Sequence, residues 1–280
     1  MKFTKMQGIG NDYVYVDCIS GELPESERPI MARRVADRHF GIGSDGLICI
    51  CPSEIADFKM DMYNADGSRG SMCGNGIRCL AKYVYDRGLT DKTSLSVETG
   101  AGLRRVRLLT ENGSVSSVTV DLGRPDFTPA NIPVLDGGDR FMNRKLKVDG
   151  REWTVTALSV GNPHLVIFPD EDVDGLALEK LGPQFENHPL FPDRINTEFV
   201  NILPDKSLKM RVWERGSGET LACGTGAAAC AAAAIALGYT QPETEVHLPG
   251  GTLQIRWDAG EDRLYMTGPA AFVFDGELFD

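Results

Sequence analysis

Long apolar runs are scarce in this sequence. The longest, residues 227–237, has 11 residues, too short for a helix that crosses a bilayer. Positive charge is in deficit, with 29 Lys and Arg against 40 Asp and Glu and a net charge of −11. That balance argues against nucleic acid or an anionic membrane as a partner, since both require a basic face. Histidine is rare, and the four present (His39, His164, His188, His247) show no metal-ligand spacing, so no metal site is expected. Cysteine is odd in number, seven, with no C-x-x-C, which speaks against both a disulfide framework and a thioredoxin-like motif. The first residues alternate in strand fashion around Lys2 and Lys5, unlike a secretory signal. A cytoplasmic location is expected.

What is present suits a globular protein: 280 residues, 42% hydrophobic and 25% charged, enough for one large or two medium domains. Alternation and turn residues predict strands over 2–6, 13–17, 47–51, 58–63, 93–98, 102–109 and 115–122, with helices over 29–39 and 76–86. The Pro-rich stretch 124–133 reads as a connector. Beyond it, helices are predicted at 176–186 and 226–237, with strands at 199–203, 208–213, 244–247, 252–257, 264–267 and 272–274.

An internal repeat organises these elements. Lys59-Met-Asp-Met-Tyr-Asn64 lies over Lys209-Met-Arg-Val-Trp-Glu214 at an offset of 150 residues. Nine residues later in each copy comes Cys-Gly-x-Gly: Cys73-Gly-Asn-Gly76 and Cys223-Gly-Thr-Gly226. Gly10-Asn11 lies over Gly161-Asn162 at 151. The reading is two homologous domains, 1–124 and 125–270. They are expected to be related by a pseudo-twofold axis with the site between them.

Glycines ahead of a helix let the backbone turn tightly and approach a ligand. The first N–H groups of a helix lack internal partners and carry the positive end of its dipole, so they favour a carboxylate and, at an adjacent cysteine, the thiolate. Two such loops facing each other could hold a substrate carboxylate with one sulfur on each side of its α-carbon. One thiolate would remove the α-proton and the opposite thiol would protonate the other face. That chemistry describes an epimerase or racemase needing no cofactor. A redox pair or regulatory disulfide at Cys73 and Cys223 stays open as an alternative. The other five cysteines read as small buried apolar groups. Gly41-Ile-Gly-Ser-Asp-Gly46 matches G-x-G-x-x-G, but it follows a helix and precedes a strand, the reverse of a dinucleotide site. The Ala-rich stretch 226–237 reads as a helix so tightly enclosed that only small side chains fit.

Asn64-Ala-Asp-Gly-Ser68, Met72-Cys-Gly-Asn-Gly76, Glu214-Arg-Gly-Ser-Gly-Glu-Thr220 and Ala222-Cys-Gly-Thr-Gly226 together resemble the diaminopimelate epimerase family. Met6-Gln-Gly-Ile-Gly-Asn-Asp12, Gly161-Asn-Pro-His164 and Arg194-Ile-Asn-Thr-Glu198 fit as well. The resemblance implies an α+β fold: two pseudo-twofold-related domains, each a mostly antiparallel, barrel-like sheet around a central helix, with the last strand, 271–280, returning to the first domain. It implies interconversion of L,L- and meso-diaminopimelate, on the route to lysine and peptidoglycan, without a cofactor, and by analogy a homodimer. By position, Cys73 and Cys223 would be the acid/base residues, and amides at Gly74, Asn75, Gly224 and Thr225 would hold the carboxylate of the reacting centre. Asn11, Asn64, Asn162 and Asn196 would read the distal amino-acid end, Arg215 its carboxylate, and Glu214 the reacting ammonium; His164 and Glu214 would tune the cysteines. Proline-type racemases share the scaffold, so a racemase of another amino acid is the competing enzyme reading; a thiol redox sensor or an inactive binding module competes from outside catalysis. Gly46 stands where some members carry Gln, and Ser217 where Val is common.

Overall fold

The computed structural model describes residues 1–19, 21 and 23–279. The chain forms two compact units, Met1–Asp121 with Thr267–Asp280 and Leu122–Met266; residue 280 of the predicted returning strand lies outside the described residues. In chain order the first half contains β1 (Lys2–Gly8), β2 (Asn11–Asp17), α1 (Arg28–Ala36), β3 (Gly46–Cys51), β4 (Phe58–Asn64), β5 (Arg69–Gly70), α2 (Gly74–Asp86), β6 (Ser94–Thr99), β7 (Gly102–Glu111) and β8 (Ser114–Gly123). The second contains β9 (Arg144–Val148), β10 (Arg151–Ser159), β11 (Pro163–Ile167), α3 (Leu178–Glu186), β12 (Asn196–Ile202), β13 (Leu208–Glu214), β14 (Gly218–Thr220), α4 (Gly224–Ala236), β15 (Glu243–Leu248), β16 (Gly251–Asp258), β17 (Arg263–Gly268) and β18 (Ala271–Glu277). This is an α+β protein dominated by mixed sheet.

The repeat seen in the sequence recurs in the strand pairings of each unit. In the first, β18, β1 and β2 pair antiparallel in succession, β2 and β3 parallel, β3 and β4 antiparallel, β4 and β6 parallel, then β6, β7 and β8 antiparallel. In the second, the same alternation runs from β9 through β10, β11, β12, β13 and β15 to β16. The parallel step matches in detail: Phe58 pairs with Val97 and Leu208 with Val246.

Among the described residues all four α-helices pack on strands, α1 on β2, β3 and β4 and α3 on β9, β12, β13 and β14, while α2 and α4 are the two that follow the repeated cysteines. α2 lies against β1, β2, β7 and β18, and α4 against β10, β11, β12, β13, β15 and β16. Ile77, Leu80, Ala81 and Val84 of α2 are buried, and in α4 every residue from Ala227 to Ala234 is. The alanine run therefore reflects enclosure, as its composition suggested, because larger side chains would have no room at native packing density.

Three differences from the sequence reading have local causes. α1 stops at Ala36 because Asp37 turns out of helical geometry and its carboxylate accepts the His39 and Phe40 amides at 2.7 and 2.8 Å, a competing local turn. α2 and α4 begin two residues earlier than predicted, at Gly74 and Gly224, since each cysteine is itself the N-cap. The segment 144–167, left without strands by pattern, holds β9, β10 and β11. Its Asp149-Gly150 turn takes positive φ at both residues, 52° and 73°, the hairpin geometry that Asp-Gly favours.

Candidate active site

Cys73 and Cys223 occupy the same local geometry in their respective units. Each is extended, at φ −127°, ψ 120° and φ −126°, ψ 104°, and each sulfur accepts the N–H three residues on, from Gly76 at 3.3 Å and Gly226 at 3.4 Å. The glycines at the two third positions face different neighbours. A Cβ on Gly76 would meet Ile48 Cδ1 at 2.6 Å, whereas one on Gly226 would meet the Glu198 carboxylate at 2.7 Å and the Cys223 sulfur at 3.2 Å.

In the first unit, half-buried Cys73 donates its S–H to Asn11 Oδ1 at 3.2 Å. The Asn11 amide is oriented by Asp45, whose Oδ2 accepts Asn11 Nδ2 at 2.7 Å and the Asp12 N–H at 3.1 Å. A carboxylate only accepts, so the amide oxygen is left for the sulfur. Burial holds the Asp45 carboxyl above its ordinary range. The Gly74 and Asn75 amides begin α2, where helix N–H groups have no internal acceptor. Asn64 ends β4 opposite Gly46 and closes a turn, donating from Nδ2 to Ser68 Oγ at 3.0 Å. A Cβ at Gly46 would lie 2.1 Å from the Tyr63 carbonyl oxygen, so this backbone course excludes any side chain there, Gln included.

In the second unit, buried Cys223 lies 3.7 Å from Thr225 Oγ1. Thr225 accepts Asn162 Nδ2 at 3.3 Å, Asn162 Oδ1 lies 3.0 Å from His164 Nε2, and His164 Nδ1 lies 2.7 Å from Glu198 Oε1. Burial pushes the Cys223 thiol well up, and the Glu214 and Glu198 carboxylates add to it; the Gly226 N–H and the Thr225 hydroxyl act the other way. Burial also raises Glu214, against the pull of its bonds to Thr220 and Cys223. Asn196 splices two segments: its Nδ2 donates to the Pro163 carbonyl at 3.0 Å and its Oδ1 accepts the Arg215 N–H at 2.8 Å. The Arg215 guanidinium donates to the Asp193 carbonyl at 2.9 Å. Asn162, His164, Thr225 and Cys223 therefore form one hydrogen-bonded cluster, and Asn196 with Arg215 forms a second contact group at the end of β13.

Pattern reading missed the supporting acids. Glu186 of α3 accepts from Trp213 Nε1 at 2.7 Å, Arg194 at 3.0 Å and the Gly216 N–H at 2.8 Å, fixing the turn after Glu214. Asp45 stood inside the rejected glycine motif and Glu198 inside a quoted one, and nothing in either motif marks the acid as the partner of Asn11 or His164, each 34 residues away.

A model of the diaminopimelate epimerase family matches residues 3–128 and 156–273. The chain belongs to this family. Relatives named diaminopimelate epimerase are 52% identical over 285 residues in Desulfovibrio desulfuricans, spanning 100% of this chain and 98% of that one, and 54% identical over 285 residues in Agathobacter rectalis, spanning 99% of each. Among solved structures, a phenazine biosynthesis protein of the PhzF family from Bacillus anthracis superposes with a TM-score of 0.71 at 18% identity, covering 100% of this chain and 99% of that one. A hydroxyproline epimerase from Agrobacterium vitis does so at 0.69 and 15%, covering 99% and 90%. At such identities the likeness is one of fold. The diaminopimelate epimerase fold thus extends to chains with other chemistry, and the side chains around each cysteine have to carry the argument about substrate.

Proposed function

We propose that this protein is an isomerase that interconverts L,L- and meso-diaminopimelate by a two-base mechanism, with Cys73 and Cys223 as the acid/base pair and no cofactor. The observation that carries this reading is the duplicated cap: two cysteines in one geometry at an offset of 150 residues, in a chain about half identical to diaminopimelate epimerases over its full length.

In this reaction one thiolate removes the α-proton, and the electron pair left on carbon is stabilised through the adjacent carboxylate. The other thiol then delivers a proton to the opposite face, so the centre inverts and the two sulfurs exchange protonation states. Helix N–H groups at Gly74, Asn75, Gly224 and Thr225 receive the carboxylate on which charge accumulates. Glu214 takes the reacting ammonium. Asn11, Asn64, Asn162 and Asn196 read the distal amino acid, with Arg215 gripping its carboxylate. His164 and Glu214 set the proton affinity of the cysteines. The working protein is cytoplasmic and a homodimer in this reading, acting on a small molecule; among the described residues no helix is long and apolar enough to cross a membrane.

The test is proton NMR of L,L-diaminopimelate with reduced protein in D₂O. Loss of the α-proton signal with growth of the meso isomer is the expected result. Absence of exchange with folded, reduced protein would move the substrate to another amino acid, with proline, histidine and glutamate tried next.

A further inference from the structure

Glu198 takes no part in the chemistry described so far, yet it is fully buried beside the second cysteine. It lies on β12, two residues beyond Asn196, which pairs with His164 on the parallel strand β11; the period of two puts Glu198 on the same face as Asn196. Its Oε1 is 2.7 Å from His164 Nδ1, while Oε2 has no hydrogen-bond partner among the described residues.

The direction of the hydrogen bonds can be followed back from the sulfur. Thr225 Oγ1 accepts from Asn162 Nδ2 with one lone pair, and when the Cys223 sulfur, 3.7 Å away, is a thiolate it can only accept, so the Thr225 hydroxyl is then its donor. With its nitrogen turned to Thr225, Asn162 shows its oxygen to His164 Nε2. An amide oxygen accepts only, so Nε2 must carry a hydrogen. At the other end, a bare ring nitrogen facing a bare carboxylate oxygen at 2.7 Å would set two lone pairs against each other. A second hydrogen therefore lies along the Nδ1···Oε1 contact.

We propose that Glu198 is a positioning residue: by sharing a hydrogen with His164 Nδ1 it commits Nε2–H to Asn162, and so fixes a one-way chain of donors, Glu198–His164–Asn162–Thr225, that ends on the Cys223 sulfur. This rests on the reading of Cys223 as an acid/base group. The chain gives a Cys223 thiolate a hydroxyl donor beside the Gly226 N–H, opposing the burial and the Glu214 and Glu198 charges that disfavour it. It also locks the Asn162 amide in one orientation.

The ring of His164 can be read directly by ¹⁵N NMR of the reduced, substrate-free chain labelled at histidine. Its signals are assigned by their loss in His164→Asn or, should that variant not fold, as those of the fully buried histidine, shielded from a soluble paramagnetic broadener. A hydrogen on Nε2, whether or not Nδ1 also carries one, is the expected result. A bare Nε2 with hydrogen on Nδ1 alone would reverse the chain and overturn the proposal. Glu198→Gln, whose amide donates to Nδ1, keeps the Nε2 hydrogen, and Glu198→Leu loses the fixed state. In the D₂O assay Glu198→Leu lowers kcat by about 10²-fold, the scale of a misplaced catalytic group, with KM little changed, and Glu198→Gln restores most of that loss. Equal activity in the Leu and Gln variants would also overturn it. An inactive wild-type protein would sink the diaminopimelate reading, while the ring signals would still decide the chain.

Discussion

At Cys73 and Cys223 identical backbone geometry meets different surroundings: an amide oxygen and partial exposure at the first, two carboxylates and full enclosure at the second. A proton shuttled between unlike sulfurs requires both, so replacing either cysteine by alanine should remove inversion, with a loss of at least about 10²–10⁴-fold in the D₂O assay. Near-normal turnover by either variant would take the thiols out of the mechanism. Gly76 and Gly226 separate in the same way. Gly76→Ala presses on the movable ends of Ile48 and Met60, but Gly226→Ala presses on the Glu198 carboxylate, which its bond to His164 holds. Urea midpoints should leave Gly76→Ala near the wild type, where gained helix propensity offsets the contact, and place Gly226→Ala about 1–3 kcal/mol lower.

Among the elements, α3 is held to β13 by a contact that tolerates no added atom. A Cβ on Gly182 would sit 2.2 Å from Trp213 Cδ2, and the indole cannot turn aside because its Nε1 donates to Glu186 at 2.7 Å. Gly182→Ala should therefore cost about 1–3 kcal/mol and shift tryptophan emission on unfolding at lower urea. The loop before β4 is fastened to β6 by Asp57, whose carboxylate accepts the Ser96 N–H at 2.8 Å and Lys92 at 2.5 Å. Lys92 first, then Ser96, lower its acid from 3.8 to about 2. A depressed carboxyl stabilises the fold above its unfolded value and loses that contribution as pH falls through the folded one. Stability should thus decline between pH 3.8 and about 2, less steeply in Asp57→Asn, as read by urea midpoints across that range. Such fastenings explain where the sequence was legible. Caps, glycines and the repeat are local signals and could be read from spacing. Asp45 with Asn11 and Glu198 with His164 are each 34 residues apart, and the acids become visible only once parallel strands bring them together. The β9–β10 hairpin was not read, although Asp149-Gly150 is a turn signal, because its many lysines and arginines mask the alternation of Leu146, Val148, Trp153 and Val155.

For the whole molecule, the first unit is discontinuous and the second is not. β18 covers the edge of β1, the Met1 amino group donates to the Leu278 carbonyl at 2.8 Å, and the buried Arg78 of α2 donates to the Pro269 carbonyl at 3.1 Å. All three tryptophans, Trp153, Trp213 and Trp257, lie in the second unit, so their emission reports that unit alone. A chain ended after Gly268 should lose hydrogen-exchange protection in β1 and β2 while tryptophan emission keeps its native wavelength. Equal protection in the full and shortened chains would show that β18 contributes nothing to the first unit.

The same strand order sets a timetable during synthesis. Residues 122–266 leave the ribosome as one block and can close on themselves, whereas β1 waits for β18, which is made after that whole block. At translation speeds of about 5–20 residues per second, that wait is on the order of tens of seconds, with a bare strand edge on display throughout. A polypeptide released early would keep that edge for good. Copies without β18 then differ from those with it by one bare strand edge, whatever the state of the cysteines.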